Sequence, residues 1–280
     1  MNIQGQTKLP LVKQVQIEDV VKQFNIDILH IQEIEICDET FSDCNFLSTA
    51  FNILSNGSDN GYGTASLIRS DLEYTNVKCD TSGRAIVFNI GDTTFGNFYG
   101  HSGTDNISRS NRENFFSETV PSLLPNHGSS GCMGGDLNSI TDKVDATNHP
   151  AAKMSQSFKR LSQTFNWKDS YRSLYPSHKQ FSRYYGNTRG EGATRIDRCY
   201  HYGEIEINSA SYEPLAFSDH HAHIVNITLP NPFSRLICPK GDYSFRIKAE
   251  VVNDVLFQDR LREAMVGWKN IQSFGLDILN

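Results

Sequence analysis

The segment 132–141, CMGGDLNSIT, places Asp136 and Asn138 two residues apart, directly after a Gly-Gly pair. Its low charge predicts the end of a buried strand, and side chains two apart on a strand point to the same face. A carboxylate that accepts a proton, beside an amide that holds its partner in place, could activate a water molecule. Asp, Asn and Gly are also ordinary turn residues, so a turn is the better interpretation of this segment taken alone.

Polar residues with similar chemistry stand at the ends of the other predicted strands. Single members have simple explanations, because Asp197 could pair with Arg195 or Arg198, and His220 could lie among three histidines on an exposed edge. The order and the local contexts of the whole set nevertheless point to one common site. The set comprises Asn2, Glu33, Tyr99, Ser102, Asp136, Asn138, Asp197, Ser218, Asp219 and His220.

The composition limits the classes of protein that fit. The 280 residues, 38% hydrophobic and 21% charged, predict a soluble globular protein with one large domain or two small ones. A net charge of −6 argues mildly against a nucleic-acid binder, although a local basic face is compatible with it. The six cysteines show no CxxC or zinc-type spacing, which predicts free thiols in a reducing compartment. The sequence contains no membrane-spanning run and no signal segment at its start, so we expect no membrane partner.

The beginning of the chain is predicted to form a short strand that ends at Asn2, followed by a helix over 8–24. The apolar positions of this helix are Val12, Val15, Val20, Val21 and Phe24.

A second strand is predicted over 27–36, and further strands over 63–72 and 84–103. The last of these segments is expected to fold into a hairpin at Gly91-Asp92. Alternation places Ile28, His30 and Gln32 on one face of the second strand and Leu29, Ile31 and Glu33 on the other.

Two further helices are predicted in the middle of the chain. One covers 110–124, with Phe115, Phe116, Val120 and Leu123 facing inward and Pro121 as a possible kink. The other begins at Pro150 and has four apolar residues on one face, namely Met154, Phe158, Leu161 and Phe165.

Strands are predicted to return at 181–185, 195–200 and 222–229, and the LPNPF segment at 229–233 is read as a boundary. Residues 249–271 have helical character. We therefore expect a catalytic domain over 1–228 and a C-terminal extension over 229–280.

The ordered strand-end residues resemble the endonuclease/exonuclease/phosphatase superfamily. The matching segments are MNIQG, DILHIQEIEI, GTASLIRSDL, GNFYGHS, GGDLN, TRIDR and SDHHA, in the family's order between residue 2 and about residue 226. Segments such as GTASLIRSDL and the DSYRSLYP, FSRYY and TRIDRCYH stretches most resemble the endonuclease domains of non-LTR (LINE-type) retrotransposons. The resemblance implies a four-layer α/β sandwich, with two mainly antiparallel sheets packed face to face and helices outside.

The resemblance also implies phosphodiester hydrolysis and a role for each residue of the set. Glu33 would be the main ligand of Mg²⁺, for which Mn²⁺ could substitute, with Asn2 and Asp219 nearby. Asp136 would orient or deprotonate the attacking water, and Asn138 would fix its geometry. His220, kept protonated by Asp197, would hold a phosphate oxygen, with Tyr99 close to the same phosphate.

Residues that bind the DNA backbone are implied in the same way. By position, Ser182, Thr194 and Ser218 resemble hydroxyl residues that hydrogen-bond phosphates, and Ser102 stands where an Asn is common. The segment 183–193, RYYGNTRGEGA, is expected to form a projecting hairpin that enters a DNA groove and biases the cut site. Its candidate contact residues are Arg183, Tyr184, Tyr185 and Arg189.

The resulting functional expectation is a Mg²⁺-dependent endonuclease that nicks double-stranded DNA and leaves a 3′-hydroxyl for target-primed reverse transcription. The alternatives are a phosphatase of the same superfamily, acting on an inositol phosphate or a lipid head group, and a non-catalytic DNA-binding module. We expect a monomer as an isolated domain, with the C-terminal extension as the start of a connector to a reverse transcriptase. Its site of action would be the nucleus, after synthesis in the cytoplasm.

Overall fold

The computed structural model describes residues 1–6, 11–34, 45–57, 63–125, 130–148, 154–187 and 190–230. The strands in this part of the chain are β1 (Asn2–Gln6), β2 (Ile28–Ile34), β3 (Phe51–Asn56), β4 (Gly63–Arg69), β5 (Thr75–Cys79), β6 (Ala85–Ile90), β7 (Thr93–Tyr99), β8 (Ser130–Asp136), β9 (Lys168–Asp169), β10 (Arg183–Asn187), β11 (Gly190–Thr194), β12 (Asp197–Tyr202), β13 (Glu206–Pro214) and β14 (His221–Thr228). The helices are α1 (Leu11–Phe24), α2 (Asn45–Ala50), α3 (Asn106–Asn114), α4 (Val120–Leu123), α5 (Gln156–Thr164) and α6 (Ser170–Leu174).

The four-stranded sheet has the order β1-β2-β4-β3, with β1 parallel to β2 and the other pairs antiparallel. Helix α1 covers its outer face, because Ile17 and Val21 of the helix pack in one cluster with Leu29 and Ile31 of β2. Val15, predicted on the apolar side of this helix, is instead 47% exposed, since it falls off the stripe formed by Ile17 and Val21.

The six-stranded sheet has the order β5-β6-β7-β8-β12-β9, in which only β7 and β8 run parallel. The hairpin predicted at Gly91-Asp92 is confirmed as the turn between β6 and β7. In the following strand pair, Gly135 lies so close to β7 that an added Cβ would stand 2.1 Å from the Phe98 carbonyl oxygen. The close packing of β7 against β8 therefore explains one glycine of the Gly-Gly pair.

The two large sheets pack face to face. Ile68 of β4 shares a buried cluster with Phe88 of β6 and Phe95 of β7. The buried amide of Asn97 crosses the same interface, because its Nδ2 donates to the carbonyl oxygens of Ala65 (2.8 Å) and Ile31 (3.2 Å). A polar group is tolerated there because it is hydrogen-bonded.

Helices cover the outer face of the six-stranded sheet. The chain runs from α3 through a π-helical turn, Phe115–Thr119, into α4, so this helical segment begins at Asn106 and not at the predicted residue 110. Asp105 caps α3, and Pro121 lies in the first turn of α4, where its missing N–H is tolerated. The inward positions of this segment are confirmed as buried: Phe115, Phe116, Val120 and Leu123.

Helix α5 begins later than predicted. Ser155 is its N-cap and accepts a hydrogen bond from the Phe158 N–H, so the helix starts at Gln156. Met154 lies outside the helix in an isolated bridge with Ile140, and Pro150 lies outside the described residues.

The remaining strands form two small antiparallel ribbons, β10-β11 and β13-β14. The predicted strands at 181–185, 195–200 and 222–229 correspond to β10, β12 and β14, each displaced by one or two residues. The predicted α/β fold class with two large sheets and outer helices is confirmed.

The chain divides into two units, Met1–Leu236 and Ile237–Asn280. The second unit, with the predicted helix at 249–271, lies outside the described residues, so its role as a connector stays a prediction. Among the described helices, none is long and apolar enough to cross a membrane.

Candidate active site

Strand ends of both large sheets meet at one edge of the sandwich. In the six-stranded sheet, Asp136 is directly opposite Asp197 of β12 and beside Tyr99 of β7. In the four-stranded sheet, Asn2 is aligned with Gln32, the residue before Glu33. Asn2 opens β1 and does not end it as predicted, but it still lies at this edge.

Asp136 is almost completely buried and is held by two donors. Asn2 Nδ2 donates to its Oδ2 over 3.1 Å, and the Asn138 backbone N–H donates to its Oδ1 over 3.0 Å. The strand ends at Asp136, and Asn138 adopts a positive φ of 45°, so the two side chains do not share a strand face as predicted. The Asn138 side chain donates instead to the Gly100 carbonyl oxygen (3.0 Å). The side-chain amide that contacts Asp136 belongs to Asn2.

Asp197 and His220 form a buried pair. His220 Nδ1 lies 2.8 Å from Asp197 Oδ2 and 3.9 Å from Asp136 Oδ2. The simple explanations of these residues are therefore wrong, because neither Arg195 nor Arg198 pairs with Asp197, and His220 is only 3% exposed.

Charge determines the protonation of this pair. Burial alone would lower the pKa of His220, but the charge of Asp197 and the hydrogen bond to it raise the pKa to about 9. Burial would raise the pKa of Asp197, but the charge of His220 and its hydrogen bond hold that pKa below the usual value. His220 is therefore an imidazolium and Asp197 a carboxylate at neutral pH.

The pKa of Asp136 is shifted in the opposite direction from that of Asp197. Burial, and then the charge of Asp197, raise the pKa of the Asp136 carboxyl above its usual value. A carboxylate that binds a proton more readily than usual is suited to act as a general base.

Glu33 is placed by an irregularity of β2. It adopts a positive φ of 61°, and the register of β2 against β4 shifts between Gln32 and Ile34. Glu33 therefore does not share the outer face of Leu29 and Ile31 as predicted. Its Oε1 accepts a hydrogen bond from the hydroxyl of Tyr99 across the sandwich (2.9 Å). A non-glycine residue in this region of φ is strained, and such strain concentrates at functional sites.

Asp219 lies beside His220, but its charge is already compensated. Arg183 Nε donates to Asp219 Oδ2 over 2.8 Å, while Asp219 Oδ1 is 3.8 Å from His220 Nε2. The expected role of Arg183 in a DNA groove is therefore replaced by an ion pair at the base of the hairpin. Ser218 also supports the site, because its hydroxyl donates to the Asn2 carbonyl oxygen and accepts from the His220 N–H.

Two hydroxyl residues that were expected to contact phosphates are buried. Ser182 is fully buried, and its hydroxyl donates to Asp197 Oδ2 (2.7 Å) and accepts from the N–H groups of Ile196 and Asp197. Thr194 is buried at the base of the β10-β11 hairpin, opposite Arg183. The sequence pattern does not report which of the candidate phosphate-binding hydroxyls is buried.

The other predicted DNA contacts are more accessible. Ser102 is exposed, Tyr184 is 45% exposed and Tyr185 is partly exposed. The Tyr184 ring lies 4.9 Å from the ring of His221. Arg189 lies outside the described residues, so its role stays a prediction.

Two sets of residues could hold a metal ion. Within the described part of the chain, ligand atoms of Asp136, Asp197 and His220 lie within 4.8 Å of one another. The short contact between His220 Nδ1 and Asp197 Oδ2 is a hydrogen-bonded ion pair, and a cation at that nitrogen would have to displace the shared proton.

Glu33 and its neighbours fit a hard cation better, because such ions prefer oxygen ligands. Glu33 is partly exposed and receives one hydrogen bond on its carboxylate. Asn2 lies at the same edge, where its side-chain nitrogen donates to Asp136, and its side-chain amide oxygen is a ligand type that such ions accept. The donor set is thus compatible with a divalent cation bound mainly by Glu33.

Three contacts at the site were not predicted from the sequence. The guanidinium of Arg84 lies 4.7 Å over the ring of Tyr99, the Tyr212 hydroxyl donates to the Asp197 carbonyl oxygen (2.9 Å), and Arg183 pairs with Asp219. Arg84 directly precedes β6 and Tyr212 lies in β13, and neither stands in a sequence motif that indicates a site.

The chain has the fold of solved AP endonucleases and of a 3′-5′ exonuclease. An AP endonuclease from Archaeoglobus fulgidus aligns with a TM-score of 0.67 at 16% identity, over 81% of this chain and 98% of its own. NExo from Neisseria, described as a 3′-5′ exonuclease and, bound to product DNA hairpin, as a 3′ phosphatase, aligns with a TM-score of 0.66, 16% identity and the same coverage. The AP endonuclease LMAP from Leishmania major aligns with a TM-score of 0.65 at 17% identity, over 80% of this chain and 85% of its own. No protein-family model and no curated protein sequence matches the chain.

Proposed function

We propose that this protein is a metal-dependent hydrolase that cleaves phosphodiester bonds of DNA. The observation that carries the proposal is the buried Asp136 carboxylate, held by Asn2 and placed 3.9 Å from the His220–Asp197 pair. This geometry lies at a sheet edge of a fold that the chain shares with AP endonucleases and with NExo.

Each polar group has a separate task in this reaction. Asp136 accepts the proton of the attacking water, since its raised pKa favours proton uptake. His220 donates a hydrogen bond to a non-bridging phosphate oxygen through Nε2, because its Nδ1 is held by Asp197. The bond from phosphorus to the 3′ oxygen breaks, the 3′ oxygen takes up a proton from solvent, and a 3′-hydroxyl and a 5′-phosphate remain.

Glu33, with Asn2 beside it, would hold a divalent cation such as Mg²⁺, or Mn²⁺ in its place. The cation would supply charge stabilisation to the scissile phosphate and the leaving oxygen. Tyr99 orients the Glu33 carboxylate through their hydrogen bond. Burial, and then the charges of Glu33 and Asp136, raise the pKa of the Tyr99 hydroxyl, which keeps it a donor.

We further propose that the enzyme nicks duplex DNA and that the 3′-hydroxyl primes reverse transcription, as in LINE-type retrotransposons. The resemblance of GTASLIRSDL and of the segment that runs from DSYRSLYP to TRIDRCYH supports this narrower assignment. A monomeric domain joined through 229–280 to a reverse transcriptase, acting in the nucleus after synthesis in the cytoplasm, follows from the same proposal.

A supercoiled-plasmid assay tests the proposal. With Mg²⁺ the full chain should convert supercoiled DNA to the open circular form, and EDTA should stop the reaction. A DNA polymerase should extend the nicks directly, since each carries a 3′-hydroxyl. His220→Ala should abolish nicking, while Glu204→Ala, which removes an exposed charge, serves as the matched control.

Two outcomes contradict the proposal. Release of phosphate from an inositol polyphosphate or a lipid head group, with plasmid DNA left intact, would identify a phosphatase. Retarded migration of DNA without any nicking, in the presence of Mg²⁺ or Mn²⁺, would identify a non-catalytic DNA-binding module.

A further inference from the structure

Two cysteines on adjacent strands have their sulfur atoms in contact. Cys132 of β8 and Cys199 of β12 are both free thiols, and their Sγ atoms are 3.1 Å apart. Both side chains are partly exposed. A disulfide bond is about 2.05 Å long, so the two sulfur atoms are only about 1 Å from bonding distance.

The sheet register explains why these two side chains meet. Cys199 is directly opposite Gly134, and Cys132 is opposite His201, so the cysteines occupy a diagonal position. Gly134 has no side chain, and an added Cβ there would lie 3.8 Å from the Cβ of Cys199. The absence of that side chain lets Cys132 lean toward Cys199.

The same two strands carry the proposed catalytic carboxylates. Asp136 is opposite Asp197 in the register that places Gly134 opposite Cys199. Side chains two apart on a strand share a face, so both cysteines project from the same face of the sheet as Asp136 and Asp197. A bond between the sulfur atoms would therefore act directly on the spacing of the two strands beside the site.

We propose that Cys132 and Cys199 form a redox modification site, which a peroxide oxidises to an intramolecular disulfide that lowers catalytic activity. One thiolate attacks the peroxide and becomes a sulfenic acid, with release of one water. The second thiol displaces the hydroxyl group as a second water and closes the S–S bond. Two thiols thus lose two protons and two electrons to one peroxide, which becomes two waters, and an external thiol reverses the change.

The order of the two steps follows from the environment of the thiols. The hydrogen bond to Cys199, and then burial, raise the pKa of the Cys132 thiol well above its usual value. Because the thiolate is the nucleophile, the raised pKa disfavours Cys132 as the attacking thiol and suits it to resolve the sulfenic acid.

The inhibition has a geometric cause. Diagonal neighbours on antiparallel strands are typically about 7–8 Å apart, whereas a disulfide prefers Cα atoms about 4.4–6.8 Å apart. Closing the bond pulls β8 and β12 together beside Asp136 and Asp197. A displacement of about 1 Å in a catalytic group can reduce the rate about 100-fold.

Peptide mapping of the full chain after treatment with hydrogen peroxide tests the modification itself. Under non-reducing conditions, a cross-linked peptide pair that contains Cys132 and Cys199 and lacks two hydrogen atoms should appear, and dithiothreitol should remove it. The map must distinguish this pair from the chain's four other cysteines. Oxidation of the exposed Cys79 without this cross-link would overturn the site.

Plasmid nicking before and after oxidation tests the effect on activity, which rests on the proposed function. Nicking by the wild type and by the control Cys79→Ser should fall about 10- to 100-fold and recover with dithiothreitol. Cys132→Ser and Cys199→Ser should keep their activity under oxidation, and circular dichroism checks that they are folded. Unchanged nicking by fully cross-linked protein would overturn the inhibition.

Failure of the proposed function is distinguishable from failure of this inference. If reduced protein never nicks DNA, the nuclease proposal fails, and the mapped cross-link still decides whether the cysteines are a modification site.

Discussion

Two buried charged clusters lie near the base of the β10-β11 hairpin, where Arg183 bridges to His220 and Thr194 bridges to Ala146. They differ in how their charges are balanced. The first, here called the acidic centre, consists of Asp136, Asp197 and His220. Its two carboxylates face one imidazolium, and Asp197 Oδ1 has no hydrogen-bond partner among the described residues. Burial, and then the charge of Asp197, raise the pKa of Asp136 in this cluster.

The second, here called the arginine cluster, consists of Arg172, Arg195, Asp145 and Asp169. Arg195 makes two bonds to Asp145 (2.9 and 3.1 Å) and two to Asp169 (3.1 and 2.7 Å), and Arg172 adds a third bond to Asp145 (2.7 Å). Burial would raise the pKa of Asp169, but the charge of Arg195 and its hydrogen bonds lower it.

This difference in charge balance distinguishes charges that stabilise the fold from charges that could take part in a reaction. In the arginine cluster each carboxylate is paired with guanidinium groups, so its charges fix the loop at 141–148 and α6 to the end of the hairpin. In the acidic centre the negative charge exceeds the positive charge, which favours proton uptake and the approach of a cation. Burial alone therefore does not distinguish the two functions, whereas charge balance does.

The largest effect on activity is expected for Asp136→Asn. The substitution removes the proposed base, and the nicking rate should fall about 1,000-fold, within the usual range for a lost general base. Because burial and Asp197 raise the folded-state pKa of Asp136, its ionised form destabilises the fold at neutral pH. The melting temperature should thus be unchanged or higher, and a large decrease would contradict the assignment of uncompensated charge.

The largest effect on stability is expected for Arg195→Met in the arginine cluster. It leaves Asp145 and Asp169 without their main partner, and breaking such a buried pair typically costs about 3–5 kcal/mol. Urea unfolding should measure this loss. Nicking per folded molecule at low temperature should persist, and a selective loss of catalysis with normal stability would assign Arg195 to the reaction. Arg172→Met, at the more exposed edge of the cluster, is the matched control and should cost less.

A smaller effect, on pH dependence, is expected for Asp197→Asn. In the wild type His220 has its pKa raised from 6.5 to about 9, so the stabilising pair is fully formed below 6.5 and is lost as pH rises through about 9. Without the Asp197 charge, burial lowers the pKa of His220. The alkaline loss of nicking should therefore move to lower pH in the variant. A pH–rate profile identical to that of the wild type would contradict the pairing.

The smallest effect is expected from changes to the β10-β11 hairpin. Deletion of 185–192 should leave Mg²⁺-dependent nicking in place and make the distribution of nick sites on a long duplex more even, because groove contacts of this kind give modest selectivity. Tyr184→Ala, which removes an exposed ring without changing the backbone, should act in the same direction. Identical nick maps for wild type and deletion would exclude the hairpin from target choice.

Local sequence patterns were sufficient for the elements that depend on local chemistry. The Gly91-Asp92 turn and the inward positions Phe115 and Phe116 were predicted correctly, because turn residues and helical spacing act over a few positions. Helix starts were less predictable, since a capping side chain such as Asp105 or Ser155 competes with several similar residues nearby.

The sequence by itself determined which chemical groups stand at the strand ends and in what order. Only the tertiary structure decided their partners: Asn2 contacts Asp136 from 134 residues away, and Ser182 supports Asp197 from inside the domain. The sequence likewise did not predict the bulge at Glu33, which turns its carboxylate toward Tyr99. The physical reason is that a carboxylate, an amide and a hydroxyl each accept many partners. Sheet register and burial select one partner, and they depend on the packing of the whole domain.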